Sequence, residues 1–214
     1  PMFSEDGNLC VVFNGEIYNF HTLSEQLREK GYHFRTRCDT EVILYAWQEW
    51  GERCVDHFRG MFAFAVYDRR AESVFLARDR FGIKPLFYSI LPDGQLVFGS
   101  ELKVLKAHPD LPRSLNVRAV EDYFAFGYIP EPKTIYRDVF KLPPGHTLLL
   151  RRGEPVPEAH EYWDIPFTPV QAGSESEGQE ELLVRMREAV EVRGDPHLPG
   201  LPAGQAAGNR GPVR

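Results

Sequence analysis

An α+β chain, with helices layered on a hairpin-built sheet, is the fold class this sequence predicts. Three observations lead there. Strand-like runs follow one another as hairpins: Met61–Asp68 into Ser73–Ala77 through Arg69-Arg70-Ala71-Glu72, then Leu86–Ile90 into Gln95–Phe98 through Pro92-Asp93-Gly94. Helical patterns are distributed unevenly among these strands, which argues against repeated βαβ units. The run Met61-Phe62-Ala63-Phe64-Ala65-Val66 is almost continuously apolar, as in a sheet covered on both faces.

The elements follow in order. Leu9–Phe13 alternates too little to be amphipathic and reads as a short apolar strand. It runs into Asn14-Gly15-Glu16-Ile17-Tyr18-Asn19, a polar, glycine-containing segment expected to be a turn. That segment presents an amide, a bare backbone N–H and a carboxylate side by side. Such equipment suits a polarised carbonyl together with a charged amino group. His21–Lys30 is a helix with Leu23 and Leu27 on one face and Gly31 as its stop. Asp39 is expected to N-cap a second helix, Thr40–Glu49, whose buried stripe is Val42, Ile43, Ala46, Trp47 and Trp50. Val117–Phe126 is helical and Thr147–Leu150 is a late strand.

Composition bounds the rest. With 214 residues, 43% hydrophobic and 13% aromatic, the chain can build a sizeable core. A net charge of −6 argues against nucleic acid as a partner. No stretch reaches the roughly 18 apolar residues of a membrane span. Cys10, Cys38 and Cys54 form no C-x-x-C pair, which points to reduced thiols and a cytoplasmic location. The seven histidines lack ligand spacing, so no metal site is expected.

The expected organisation is a globular domain over 1–165, a polar linker over 166–178, and a helix over 179–192 with Leu182, Leu183, Met186, Ala189 and Val190 in register. Residues 193–214 are rich in Gly, Pro, Ala and Arg, contain no aromatic residue, and are expected to be a disordered, aberrant tail. We attribute the change of character there to a frame shift or the end of a gene fragment; a downstream reading frame encoding the missing continuation would test this.

Several segments resemble class II glutamine amidotransferase domains, above all those of glutamine-hydrolysing asparagine synthetases. They are Val12-Phe13-Asn14-Gly15-Glu16-Ile17-Tyr18-Asn19, Cys38-Asp39-Thr40-Glu41-Val42, Phe58-Arg59-Gly60-Met61-Phe62-Ala63-Phe64, Arg78 to Leu86, and Gly99-Ser100-Glu101-Leu102-Lys103. Tyr128-Ile129-Pro130, Leu142-Pro143-Pro144-Gly145-His146 and Tyr162-Trp163 extend the likeness, which covers about residues 1 to 192.

The resemblance implies an N-terminal-nucleophile fold, a four-layer αββα sandwich that is incomplete here. It implies that an N-terminal cysteine attacks glutamine, with its own α-amine as base. Asn14 and the Gly15 N–H would form the oxyanion hole, where one donor is typically worth about 2.7–4 kcal/mol. Glu16 and Asp39 would hold the substrate's α-ammonium. On the residues alone, Glu16 remains open as a turn carboxylate and Asp39 as a helix cap. The implied partners are glutamine and the chain's own C-terminal synthetase domain, with a homodimer left open. The implied cofactors, ATP and Mg, belong to that further domain; none is expected in this chain.

The departures are specific. The family's Met-Cys-Gly-Ile start and its carboxylate-gripping arginine segment are expected upstream of Pro1. Cys10 is expected to be a buried core thiol and Cys54 to pack against the helices. Cys38, beside the Asp39 carboxylate, is a poor thiolate. The chain as given is expected to be inactive in glutamine hydrolysis. The alternatives are a catalytically dead fragment or binding module, and a relative amidating another acceptor such as a surface polysaccharide. Arg78-Asp79-Arg80 is expected to be an ion-pair turn that positions Gly82 and Pro85.

Overall fold

The computed structural model describes residues 1–165 and 174–191. The chain divides into two compact units, Pro1–Pro166 and Phe167–Arg214. In the first unit the strands are β1 (Met2–Phe3), β2 (Leu9–Ile17), β3 (Gly60–Asp68), β4 (Ser73–Arg78), β5 (Phe87–Ile90), β6 (Leu96–Gly99), β7 (Phe140–Lys141), β8 (His146–Arg151) and β9 (His160–Glu161). The helices are α1 (Phe20–Glu29), α2 (Asp39–Trp50), α3 (Cys54–His57), α4 (Leu102–Leu105) and α5 (Val117–Phe126). Two antiparallel sheets result, one in the order β1-β2-β3-β4-β8-β9 and the other β6-β5-β7.

Three apolar clusters stack these elements into layers. Leu23 and Leu27 of α1 and Val42, Ile43 and Ala46 of α2 pack on Val11, Ile17, Phe62, Phe64, Val66 and Phe75 of the larger sheet. The alternate residues of the same strands, Ala63, Ala65, Leu76 and Leu148, face the smaller sheet and meet Leu86, Tyr88, Leu96 and Phe98. The far face of the smaller sheet carries Phe87 and Val97 against Leu102 and Leu105 at α4. The order helix, sheet, sheet, helix is the expected αββα sandwich. It explains the apolar continuity of β3: its phenylalanines serve one core and its alanines the other, so neither face is left for polar residues.

Three local expectations are corrected. Residues 14 to 17 are not a turn; β2 runs through Ile17, and Asn14, Gly15 and Glu16 pair with Ala63, Phe62 and Met61 of β3. Cys10 is half-buried rather than in the core, because Leu9 and Val11 occupy the helix-facing positions on either side. Trp47 and Trp50 are half-buried at the edge of the α2 stripe, where Trp50 stacks on His57 with ring centroids 3.9 Å apart. Helix α5 lies where the pattern put it, capped by Asn116, which accepts from the Ala119 N–H, and ended by Gly127 at φ +78°.

In the second unit, α6 spans Glu175–Glu191, beginning earlier than the apolar register at Gln179 suggested. The linker residues 166–173 and the tail from Val192 onward lie outside the described residues. Among the described residues no helix is long and apolar enough to cross a membrane.

Candidate active site

Asn14, Gly15 and Glu16 occupy the last turn-free stretch of β2, and the register decides what each presents. Val11 and Ile17 point into the helix-side core, so Val12, Asn14 and Glu16 point to the opposite face. There Val12 and Asn14 line a cavity of about 320 Å³ with Ala63, Ala65, Phe98 and Ser100. The Asn14 Nδ2 donates to Ser100 Oγ at 3.1 Å, a contact between the two sheets. That bond uses one Nδ2 hydrogen and leaves the second for another acceptor. Glu16 is exposed on the same face.

Gly15 is required by its surroundings. Its φ is +151°, and a Cβ built there would lie 2.1 Å from the Met61 carbonyl oxygen and 2.7 Å from the Phe62 Cα. Gly60 mirrors it at φ +157°, with a Cβ position 2.1 Å from the Glu16 carbonyl oxygen. The two strands approach so closely that neither position accommodates a side chain.

The Gly15 N–H is also aimed. Phe62, its partner in register, gives its own N–H to Asp79 Oδ2 at 3.1 Å and its carbonyl to the Asp79 N–H at 2.8 Å. Gly15 and Phe62 are therefore a non-hydrogen-bonded pair, and the Gly15 N–H faces the outer edge of β2. β1 pairs along that edge only at Cys10 and Val11. Two residues beyond Gly15, the Ile17 N–H uses the same edge and donates to Asp39 Oδ2 at 3.1 Å.

Asp39 is thus not the N-cap. It is the first residue of α2; the cap position is Cys38, whose side chain makes no capping bond. The Asp39 carboxylate reaches across to β2, which brings the acid to the strand that carries the other three residues. It also lies in the first turn of a helix, where negative charge is favoured. Of the three thiols, Cys54 is fully buried in the helix-side core, and burial pushes its thiol up. Cys38 is half-buried with its Sγ 3.1 Å from Thr36 Oγ1. Among the described residues no group of His, Cys, Asp or Glu is arranged to hold a metal ion.

The segment Arg78 to Leu86 supports the site from below, by bonds other than those expected. No ion pair forms within Arg78-Asp79-Arg80. Arg78 is buried and donates to the carbonyls of Gly82, Lys84 and Leu142 and to Glu131 Oε1 at 2.8 Å. Arg80 donates to the Phe58 carbonyl at 2.6 Å. Asp79, 1% exposed, accepts from the N–H groups of Phe62, Phe81, Ile83 and Lys84. Ser100, which meets Asn14 across 86 positions, is a contribution that sequence reasoning did not assign, and Asp79 holds its turn through backbone N–H groups rather than the expected ion pair.

Comparison with known proteins identifies the domain as a whole. The family described as "Glutamine amidotransferase domain" matches residues 1–163. Asparagine synthetase [glutamine-hydrolyzing] 3 of Bacillus subtilis (strain 168) is 40% identical over 139 residues, covering 64% of this chain and 22% of that protein. Asparagine synthetase [glutamine-hydrolyzing] 1 of the same organism is 36% identical over 191 residues, covering 89% of this chain and 29% of that protein. A putative asparagine synthetase [glutamine-hydrolyzing] 2 of Methanocaldococcus jannaschii is 37% identical over 166 residues, covering 76% and 32%. The chain spans less than a third of the length of each of these relatives. It belongs to the class II glutamine amidotransferase domain family.

Proposed function

We propose that Asn14, Gly15, Glu16 and Asp39 form the glutamine site of a glutamine-hydrolysing asparagine synthetase. The observation that carries this reading is the shared edge of β2. There the Gly15 N–H is left without a strand partner while the next N–H on that edge meets the Asp39 carboxylate. A donor for a developing oxyanion on β2 and an acid for an ammonium group on α2 then meet at one strand edge.

In the proposed reaction a thiolate adds to the side-chain amide carbon of glutamine. The carbonyl oxygen becomes an oxyanion, stabilised by the Gly15 N–H and by the Asn14 Nδ2 hydrogen that Ser100 does not use. The C–N bond breaks, the nitrogen takes up a proton and leaves as ammonia, and water hydrolyses the thioester to glutamate. Glu16 and Asp39 bind the α-ammonium and so select amino acids over simple amides. The attacking thiol is none of Cys10, Cys38 or Cys54: burial keeps Cys54 protonated, and among the described residues neither other cysteine is hydrogen-bonded to a base. The ammonia serves ATP-dependent amidation of aspartate in a synthetase domain that holds ATP and Mg, in the cytoplasm.

The test is calorimetric titration of the 214-residue chain with L-glutamine, followed by an assay for glutamate. We expect binding near the millimolar range, about −4 kcal/mol, and no turnover. Glutaramic acid, which keeps the amide but lacks the α-amine, should bind at least about tenfold more weakly. Equal binding of the two compounds contradicts the assignment, whereas glutamate release contradicts the exclusion of Cys10, Cys38 and Cys54 as the nucleophile.

A further inference from the structure

One buried acid outside the four site residues has an unusual set of partners. Glu41 lies in the first turn of α2 and is 2% exposed. Its Oε1 accepts from the Arg35 N–H at 2.9 Å; its Oε2 accepts from the Thr36 N–H at 2.7 Å and the Thr36 hydroxyl at 2.6 Å. The Tyr45 hydroxyl, one turn further along α2, donates to the His33 carbonyl at 2.6 Å and lies 3.4 Å from Glu41 Oε1. Residues 33–38 contain neither helix nor strand. The His33 carbonyl and the Arg35 and Thr36 N–H groups are satisfied by side chains of the helix they lead into, while the Arg35 guanidinium donates to the Phe3 carbonyl.

This exceeds what a helix start requires. A capping box needs one bond from the third helical residue back to the cap. Here the donors lie upstream of the cap residue Cys38, and the carboxylate ties Arg35 and Thr36 back onto the helix. Thr36 extends the link, because its Oγ1 also accepts from the Cys38 N–H at 3.3 Å. The next residue is Asp39. Burial pushes the Glu41 carboxyl up, but the bonds from Arg35 and Thr36 outweigh it and hold the group below the ordinary glutamate range. A charged carboxylate with its oxygens already occupied has no role in touching substrate.

We infer that Glu41 is a positioning residue that sets where Asp39 stands relative to Gly15, by clamping residues 33–38 onto α2. The inference rests on the glutamine reading for what Asp39 binds, and on geometry alone for the clamp. Removing the clamp frees the approach to Asp39 while leaving the packed face of α2, Val42, Ile43 and Ala46, in the core.

Alkylation of the native thiols tests both parts. The full chain is treated with iodoacetamide, with and without L-glutamine, and the rates at Cys38 and Cys54 are read by peptide mass spectrometry. In Glu41→Gln, Cys38 should react about tenfold faster, the equivalent of one lost charge-assisted bond. Cys54, buried in the core, should stay slow. Thr36→Val, which removes the hydroxyl and keeps the shape, should accelerate Cys38 less. L-Glutamine should slow Cys38 alkylation in the native chain and protect less in either variant. Unchanged Cys38 rates in Glu41→Gln overturn the inference, and so does a parallel rise at Cys54, which would mean general loosening. A raised Cys38 rate in the variant, with no protection of the native chain by L-glutamine, supports the clamp and overturns the glutamine assignment instead.

Discussion

Replacing Gly15 with alanine should lower the thermal midpoint by about 6–12 °C, the equivalent of about 3 kcal/mol in a domain of this size. The added methyl would stand 2.1 Å from the Met61 carbonyl oxygen, far inside contact distance. Because that oxygen is backbone, no side-chain rotation relieves the clash; β2 and β3 must separate. The φ of +151° adds strain of about 1–3 kcal/mol for any L side chain. The damage should be local to this end of the sheet, since Leu9 to Val12 pair with Asp68 to Ala65 at the other end. Calorimetry of Gly15→Ala and Gly60→Ala checks this. The double variant should lose less than the sum of the two, because once the strands part for one methyl the second finds room. A midpoint within about 2 °C of the native chain for Gly15→Ala would refute the close approach.

Asp79→Ala should cost about 4 kcal/mol or more, an exceptional value for one residue. Four backbone N–H groups converge on its carboxylate, two on each oxygen. Alanine leaves buried donors without acceptors, and the total stability of a domain is only about 5–15 kcal/mol. Asparagine is the sharper test. Its amide keeps one oxygen and turns an NH₂ group toward two N–H donors, so Asp79→Asn should rescue little of the loss. Chemical denaturation of both variants measures this; a nearly native Asp79→Asn would show that fewer than four bonds matter. Asp79 also ties the site to its support, because its Oδ2 and main chain hold Phe62 and so leave the Gly15 N–H facing outward.

These two residues show where sequence reading reached and where it stopped. β3, β4 and α5 were legible because their apolar patterns are dictated by burial on defined faces. Asn14, Gly15 and Glu16 looked like a turn because their residue types favour turns. In the folded chain, pairing with Ala63, Phe62 and Met61 overrides that local preference, and the glycine serves close strand approach rather than chain reversal. Asp39 was legible as an acid at a helix start, but its bond to the Ile17 N–H depends on how α2 crosses β2. The roles of Glu41, Asp79 and Ser100 left no trace in periodicity. Glu41 and Asp79 serve backbone N–H groups, which every residue type but proline carries. Ser100 acts across 86 positions of sequence. The cores were readable from composition; the polar scaffolding under the site is a property of tertiary structure.

The most direct measurement is a two-dimensional ¹⁵N–¹H spectrum of the chain with ¹⁵N-glycine, titrated with L-glutamine. The outward-facing Gly15 N–H should shift on binding more than any other described glycine, while Gly94 and Gly153, in distant hairpin turns, stay fixed. Glutaramic acid at the same concentration should leave Gly15 unmoved. Saturating L-glutamine with no shift at Gly15, or an equal shift with glutaramic acid, would contradict the assignment of this strand edge as the place where the amide of an amino acid is held.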